Sequence, residues 1–323
     1  MLDFRQQAEE FEKFLQEQTS SFFKKEPQTL YEPCTYMLSI GGKRIRPAVC
    51  LMSSALFDNS NNTNAYWTAL AVELFHNFTL IHDDIMDNAP LRRGKTTVYK
   101  KYNEPTAILS GDLMSIYAYT CLQNTTPEIL AKILPVFNKT AIEVCEGQQK
   151  DMDFETMEIV SKADYLNMIQ LKTAVLLAAS MKMGALCSGT SEDQANLIYD
   201  FGINLGVAFQ LQDDYLDSFG ESASIGKQIG GDILADKKTF LAIDAFEKAD
   251  QNQKKILAFD GHETDKVKEI QDLYRTLKTD ENCKQAIEDY TNKAMIALNS
   301  IKVSSEKKKP FIDLLDFLMI RNH

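Results

Sequence analysis

Asp83, Asp84 and Asp87 fall at i, i+1 and i+4 in the segment Phe78-Thr79-Leu80-Ile81-His82-Asp83-Asp84-Ile85-Met86-Asp87, which is otherwise apolar and helix-periodic. Aspartate is a poor helix-interior residue because its short carboxylate competes for nearby backbone N–H groups, so a triplet there needs a cause. On a helix Asp83 and Asp87 project from one face, a turn apart. Carboxylates so placed repel each other unless a cation lies between them. The pattern returns in Phe209-Gln210-Leu211-Gln212-Asp213-Asp214-Tyr215-Leu216-Asp217. One acidic triplet is ordinarily a solvated helix face. Two in identical spacing and apolar context read as two walls of one oxygen-lined cation site. All-oxygen donors select a hard ion, Mg²⁺ first, which keeps waters and also binds substrate phosphates.

Cations accompany these carboxylates. Gly41-Gly42-Lys43-Arg44-Ile45-Arg46-Pro47 sets basic side chains beside glycines at a helix start, an arrangement suited to phosphate or, blandly, to a basic turn. His76 lies seven residues before Asp83, near the same helix face, where a satisfied core histidine is the plainer reading. Arg92-Arg93-Gly94 follows the first triplet in a loop, and adjacent arginines there can grip two different anions. Asp151 ends Gly147-Gln148-Gln149-Lys150-Asp151 and is either surface or a further piece of acidic wall. Lys172-Thr173 interrupts an apolar run, and a buried lysine needs a counter-anion unless it snorkels out. Lys227 lies in the glycine-bearing stretch 218–231, which reads as a loop able to close over a ligand, and Lys237 follows it.

These groups must be positioned by helices. Apolar spacing predicts helices at about 4–23, 27–40, 47–57, 64–87, 107–124, 128–153, 161–187 and 193–219, then four or five amphipathic helices over 240–323 with breaks at Gly261 and Pro310. No linker, low-complexity tract or strand-period segment stands out, so residues 1–323 are expected to form one all-α domain, a large bundle around a central cavity. With 44% hydrophobic and 25% charged residues the composition is ordinary and globular. A net charge of −11 argues against nucleic acid as a partner. The six cysteines are scattered without metal-type spacing and read as buried thiols of a reducing, cytoplasmic compartment. No signal peptide is apparent at the start. Lys172 and Lys182 break the most apolar stretch, so no transmembrane segment is expected.

Carboxylate walls, abundant cations and apolar surroundings fit a hydrocarbon chain carrying a diphosphate. Metal and cations stabilise the departing diphosphate, and an apolar interior shields the resulting carbocation from water. The cations exceed the needs of one diphosphate, so two diphosphate substrates are expected. In these motifs, taken in order over residues 41–237, the sequence resembles the trans-polyprenyl diphosphate synthases. Gly41–Pro47 is similar to their isopentenyl diphosphate motif and Asp83-Asp84-Ile85-Met86-Asp87 to their first aspartate-rich motif. Phe209-Gln210-x-x-Asp213-Asp214-Tyr215-Leu216-Asp217 is similar to the second.

The resemblance implies the all-α isoprenoid synthase fold, a homodimer and three Mg²⁺ ions per site, with Mn²⁺ an acceptable substitute. It implies a prenyltransferase that joins isopentenyl diphosphate to C5–C15 allylic diphosphates by ionisation, condensation and elimination, giving a C15–C20 all-trans product of the farnesyl or geranylgeranyl kind. By resemblance, Asp83, Asp84, Asp87, Asp151, Asp213 and Asp217 are the metal-site carboxylates, with Asp84 and Asp217, like Asp214, possible as support rather than ligands. Arg92, Lys172, Lys227 and Lys237 hold the allylic diphosphate, and Lys43, Arg46, His76 and Arg93 hold isopentenyl diphosphate. Lys172, Thr173 and Gln210 carry the catalytic step, Thr173 and Gln210 lying against the allylic carbon. The alternatives are a terpene cyclase of the same fold, which would not need Gly41–Pro47 or a second arginine, a non-catalytic partner subunit, which would be expected to lose aspartates, and a Mg²⁺-dependent phosphohydrolase. Farnesyl-type relatives carry two aromatics before the first motif or an insertion within it. Here Phe78 is followed by Thr79 with no insertion, which resembles a geranylgeranyl-type enzyme. Phe78 lies roughly 7.5 Å and Phe75 roughly 12 Å back along the helix from Asp83, placing Phe75, Phe78 and Thr79 as candidate floor residues for the growing chain.

Overall fold

The computed structural model describes residues 3–58, 62–220, 230–258 and 263–319. Among the described residues the chain is all-α apart from one two-stranded hairpin. It divides into two compact units: 1–137 with 179–196 and 303–310, and 138–178 with 197–302 and 311–323.

In the first unit, α1 (Phe4–Phe22) starts at Asp3 through a capping box with Gln6. It buries Phe11 and Leu15 on one face. Helix α2 (Gln28–Ser39) gives way to Gly41, whose φ of +81° supplies the left-handed turn after the helix. Helix α3 (Ile45–Phe57) carries Pro47 in its first turn, where the missing N–H costs nothing. Helix α4 (Thr63–Met86) is capped by Asn62. The hairpin β1 (Leu91–Arg92) and β2 (Lys95–Thr96) stands where the sequence reads as a plain loop. Arg93 and Gly94 both have positive φ, the type I′ turn that matches strand twist. After α5 (Val98–Lys101), α6 (Glu104–Leu122) approaches α4 so closely that a Cβ on Gly111 would sit 2.5 Å from His82 Nε2. Here Gly is a packing requirement, and His82 Nε2 lies 3.1 Å from the Ile108 carbonyl.

Helix α7 (Pro127–Thr156) leads into the second unit, followed by α8 (Lys162–Ile169), a π turn at Gln170–Ala174, α9 (Val175–Cys187) and α10 (Glu192–Phe219). The helix expected at 161–187 is thus interrupted by one wide turn, and that turn holds Lys172 and Thr173. Phe154, Tyr165, Ile169, Leu211, Ile270 and Tyr274 belong to one apolar core in this unit. Asp244, fully buried on helix Phe240–Lys248, joins Lys162 at 2.6 Å, Lys248 at 2.8 Å and the Thr279 hydroxyl at 2.9 Å.

Three expectations are corrected. Pro310 lies inside the helix Ser305–Met319 rather than at a break. Five cysteines are buried but Cys145 is exposed. The stretch Lys162–Cys187 is long and apolar enough to cross a membrane by length and hydropathy, despite its lysines, yet 78% of its most apolar window is buried inside the protein, as befits a core helix. Gly261 and Lys227 lie outside the described residues, as does most of the 218–231 stretch.

Candidate functional site

The first unit gathers a cationic cluster. Arg44 sits in the left-handed region at φ 48° and is 6% exposed. Its Nε donates to Glu12 Oε2 at 2.8 Å, its Nη2 to the Leu38 carbonyl at 3.0 Å and its Nη1 to Glu73. Arg44 is therefore the anchor that fastens the Gly41–Pro47 turn to α1 and α4, while Lys43 remains exposed. Arg46 Nη1 lies 3.2 Å from His76 Nε2. Its Nε is buried without a hydrogen-bond partner, an orphan donor of the kind a ligand oxygen satisfies. Burial lowers the Arg46 guanidinium to about 10 despite the Glu73 carboxylate. His76 is held well below its ordinary value by burial and then by Arg46, Arg93, Arg92 and Arg44. It is a neutral hydrogen-bonding group in a positive environment. Arg93, at φ 52°, folds its guanidinium over Gly42, where a Cβ would stand 2.6 Å from Nη1. Gly42 is glycine because Arg93 occupies the space of a side chain.

The first acidic triplet splits by helix phase. Asp83 is half-buried and Asp87 exposed, one turn apart at the end of α4. Asp84 turns inward, 2% exposed, and both its oxygens accept from Arg92: Nε to Oδ1 and Oδ2 at 2.9 Å, Nη2 to Oδ1 at 2.8 Å. Burial raises the Asp84 carboxyl even with that arginine attached. In this structure Asp84, named above among the metal-site carboxylates, is a bracket for Arg92, whose Nη2 also lies 3.8 Å from Asp83 Oδ2. Arg92 and Arg93 point to different partners, as adjacent residues in a tight hairpin should.

The second unit carries the other cassette. Lys172 Nζ donates to Asp151 Oδ2 at 2.6 Å, joining the π turn to α7. The approach is close because position 147 has no side chain: a Cβ on Gly147 would lie 2.2 Å from the Lys172 backbone nitrogen. On α10, a Cβ on Gly206 would lie 2.7 Å from Ala174 Cα. Two glycines thus hold the π turn between α7 and α10. A π insertion shifts the phase of the residues it carries, which gives Lys172 and Thr173 their half-buried places in an apolar helix. The second triplet divides like the first. Asp213 and Asp217 are half-buried, while Asp214 is 4% exposed and accepts from the Tyr165 hydroxyl and from Gln210 Nε2 at 3.4 Å. Burial, against the Tyr165 hydrogen bond, pushes the Asp214 carboxyl up to about 7. Asp217 Oδ1 accepts from the Asp232 N–H at 2.8 Å and so fixes the start of the short helix Gly231–Leu234. Lys237 is largely exposed, with Nζ 3.6 Å from Asp232 Oδ1.

Among the described residues no three His, Cys, Asp or Glu side chains converge to hold a metal by themselves. The outward carboxylates come as pairs, Asp83 with Asp87 and Asp213 with Asp217, all hard oxygen donors. Such pairs suit Mg²⁺, which takes one or two protein carboxylates and fills its octahedron with water and phosphate oxygens. An open cavity of about 480 Å³ in the second unit is lined by residues such as Ile233, Phe246, Ile270 and Tyr274. It shares Asp232 and Lys237 with this cassette and none of the other candidate residues.

Four contributors escape a reading of motifs: Glu73, Tyr165, Asp232 and the π turn. A buried glutamate seven residues after Tyr66 or a tyrosine seven before Lys172 gives no one-dimensional signal. Gly147 and Gly206 inside helices are the trace the π turn leaves.

A polyprenyl synthetase family profile matches residues 27–277. The geranylgeranyl diphosphate synthase of Methanosarcina mazei is 43% identical over 224 residues, 69% of each chain. A crystal structure of a geranylgeranyl pyrophosphate synthase aligns with a TM-score of 0.94 at 42% identity, covering 100% of both chains. That of the geranylgeranyl pyrophosphate synthetase from Pyrococcus horikoshii aligns at 0.91 and 33% identity, covering 98% of this chain and 97% of that one. The chain has the all-α fold of these synthases and belongs to the polyprenyl synthetase family, as a short-chain trans-prenyltransferase.

Proposed function

We propose that the enzyme condenses isopentenyl diphosphate with allylic diphosphates, using Mg²⁺, to give geranylgeranyl diphosphate as the main product. The observation that carries this reading is the Arg46–His76–Arg93 cluster over Gly42, with its orphaned Arg46 Nε. It offers a diphosphate a site built of cations and a neutral imidazole, and its residues are not those of the carboxylate pairs. A cyclase or a phosphohydrolase has one diphosphate to hold and no use for a second such site. In this reading Arg46, Arg93, His76 and Lys43 hold isopentenyl diphosphate. Arg92, steadied by Asp84, with Lys172 and Lys237, holds the allylic diphosphate, and Lys227 joins them. Asp83, Asp87, Asp151, Asp213 and Asp217 carry the metal-site role. Bound Mg²⁺ supplies charge neutralisation for the departing diphosphate. The Thr173 hydroxyl and Gln210 carbonyl oxygen stabilise the allylic cation, and the released diphosphate accepts the proton in the final elimination, so no protein base is required.

The geranylgeranyl product is favoured by relatives of that name and by Phe78, which is half-buried and stacks edge-on against His82 at 4.8 Å. Phe75 is 3% exposed and locked against Phe137, which fits a core residue better than a floor. Both units are taken to serve one catalytic domain in the same turnover. A homodimer through α6 accounts for Leu109 at 59% and Ile116 at 62% exposure, two helical turns apart, with Ile108 and Tyr119 alongside. The six free thiols fit a reducing cytoplasm. The test is calorimetric titration of both substrates with and without chelator. Isopentenyl diphosphate should bind without Mg²⁺ and lose affinity in Arg93→Ala, whereas the allylic substrate should require Mg²⁺. Chelator-sensitive binding of both substrates would contradict two separate sites.

A further inference from the structure

We propose that Tyr165 is a positioning residue for allylic ionisation, acting through Asp214 on Gln210; this rests on the reading that Gln210 lies against the reacting carbon. Tyr165 lies on α8 and is 3% exposed in an apolar core, where a phenolic hydroxyl needs a partner. It donates to Asp214 Oδ2. Asp214 Oδ1 faces the Gln210 side-chain nitrogen at 3.4 Å, one helical turn back. Neither oxygen is given to a lysine or arginine in these contacts, in contrast to Asp84, which grips Arg92. The two inward aspartates therefore serve different side chains: Asp84 orients a cation and Asp214 orients an amide.

The amide has two unlike ends. Gln210 offers its NH₂ to Asp214 Oδ1, and because the two ends of an amide point apart, its carbonyl oxygen is turned the other way. That oxygen is the end that stabilises a developing positive charge. An amide without this anchor can present NH₂ to the allylic carbon instead, which repels the cation. The carboxylate in turn can rotate about its own bond unless something holds its second oxygen, and the Tyr165 hydroxyl does so from a different helix. Asp213 and Asp217 lie on the neighbouring face of α10, both half-buried. The second triplet thus has two faces, and Tyr165 belongs to the one that holds the amide.

The test compares Tyr165→Phe, Gln210→Ala and the double variant in the full-length enzyme. Tyr165→Phe should lower kcat about tenfold, the factor one net hydrogen bond of about 1.4 kcal/mol supplies. The KM for isopentenyl diphosphate and the Mg²⁺ half-saturation should stay within about twofold. In the Gln210→Ala background, Tyr165→Phe should cost no further kcat, because its only route is through Gln210. The proposal is overturned if Tyr165→Phe keeps wild-type kcat while Gln210→Ala is impaired, if the two losses multiply, or if the loss appears as a raised Mg²⁺ requirement. Wild-type kcat in Gln210→Ala would instead overturn the assignment of Gln210, and this proposal with it. If Tyr165→Phe does not fold, Asp214→Asn takes its place. It can present an N–H to Gln210 and must show the same kcat-confined, Gln210-dependent loss.

Discussion

Gly147→Ala adds a single methyl group and should nonetheless cost most of the activity. Two effects oppose each other. Alanine is a better helix residue than glycine by about 1 kcal/mol, so on propensity alone the variant gains stability in the middle of α7. The new Cβ, however, would stand 2.2 Å from the Lys172 nitrogen and 2.6 Å from its Cα, both backbone atoms that cannot swing aside. An ordinary contact is about 3.5 Å, so α7 and the π turn must part by roughly 1.3 Å. Overpacking of this kind costs about 1–3 kcal/mol, which outweighs the propensity gain. The separation falls on the residue whose Nζ reaches Asp151 at 2.6 Å and on Thr173 beside it. A misplacement of about 1 Å in a reacting constellation costs roughly a hundredfold in rate. Steady-state kinetics with saturating substrates, beside a thermal melt, should show kcat down by about two orders of magnitude with a modest fall in Tm. A Gly147→Ala enzyme with wild-type kcat and a raised Tm would refute the argument that this glycine sets the place of Lys172.

Arg93→Ala should raise the KM for isopentenyl diphosphate more than that for the allylic substrate, and Gly42→Ala should follow it, because the added methyl displaces the same guanidinium; initial rates with each substrate varied in turn check both. Asp84→Asn should do the reverse, weakening allylic diphosphate by loosening Arg92 while the protein remains folded. Asp244 is held below the usual carboxylate range by hydrogen bonds from Lys162, Lys248, Thr279 and Asn282 that outweigh its burial. Its contribution to stability is therefore present above the unfolded-state value and lost as pH falls through the folded one. Asp244→Ala should destabilise by about 3 kcal/mol at neutral pH and flatten that part of the acid dependence, as melts across pH would show. Phe78→Ala should lengthen the product beyond C20 in mass spectra of the product alcohols if Phe78 is the floor.

Helix positions were legible to within a few residues because apolar periodicity and caps are local. Asn62, Gly41 and Pro47 mark ends that the structure keeps. The family was legible because its motifs, the repeated Asp-Asp-x-x-Asp foremost, recur in order along the chain. Arg44 and Asp84 could not be sorted from Arg46 and Asp83 by spacing. Which residue of a motif faces inward depends on the partner another helix brings, Glu73 for Arg44 and Arg92 for Asp84. The hairpin at Leu91–Thr96 hid because two-residue strands carry no periodicity, leaving Arg93-Gly94 as its trace. The π turn hid because one extra residue in a wide turn leaves composition unchanged, and tertiary contact through Gly147 and Gly206 selects it.

The central claim is that this chain joins two diphosphates rather than cyclising or hydrolysing one. Wild-type enzyme supplied with labelled isopentenyl diphosphate, dimethylallyl diphosphate and Mg²⁺ should yield, after dephosphorylation, a labelled all-trans C20 alcohol by mass spectrometry. Release of phosphate or a cyclised hydrocarbon with no label carried into a longer chain would contradict it.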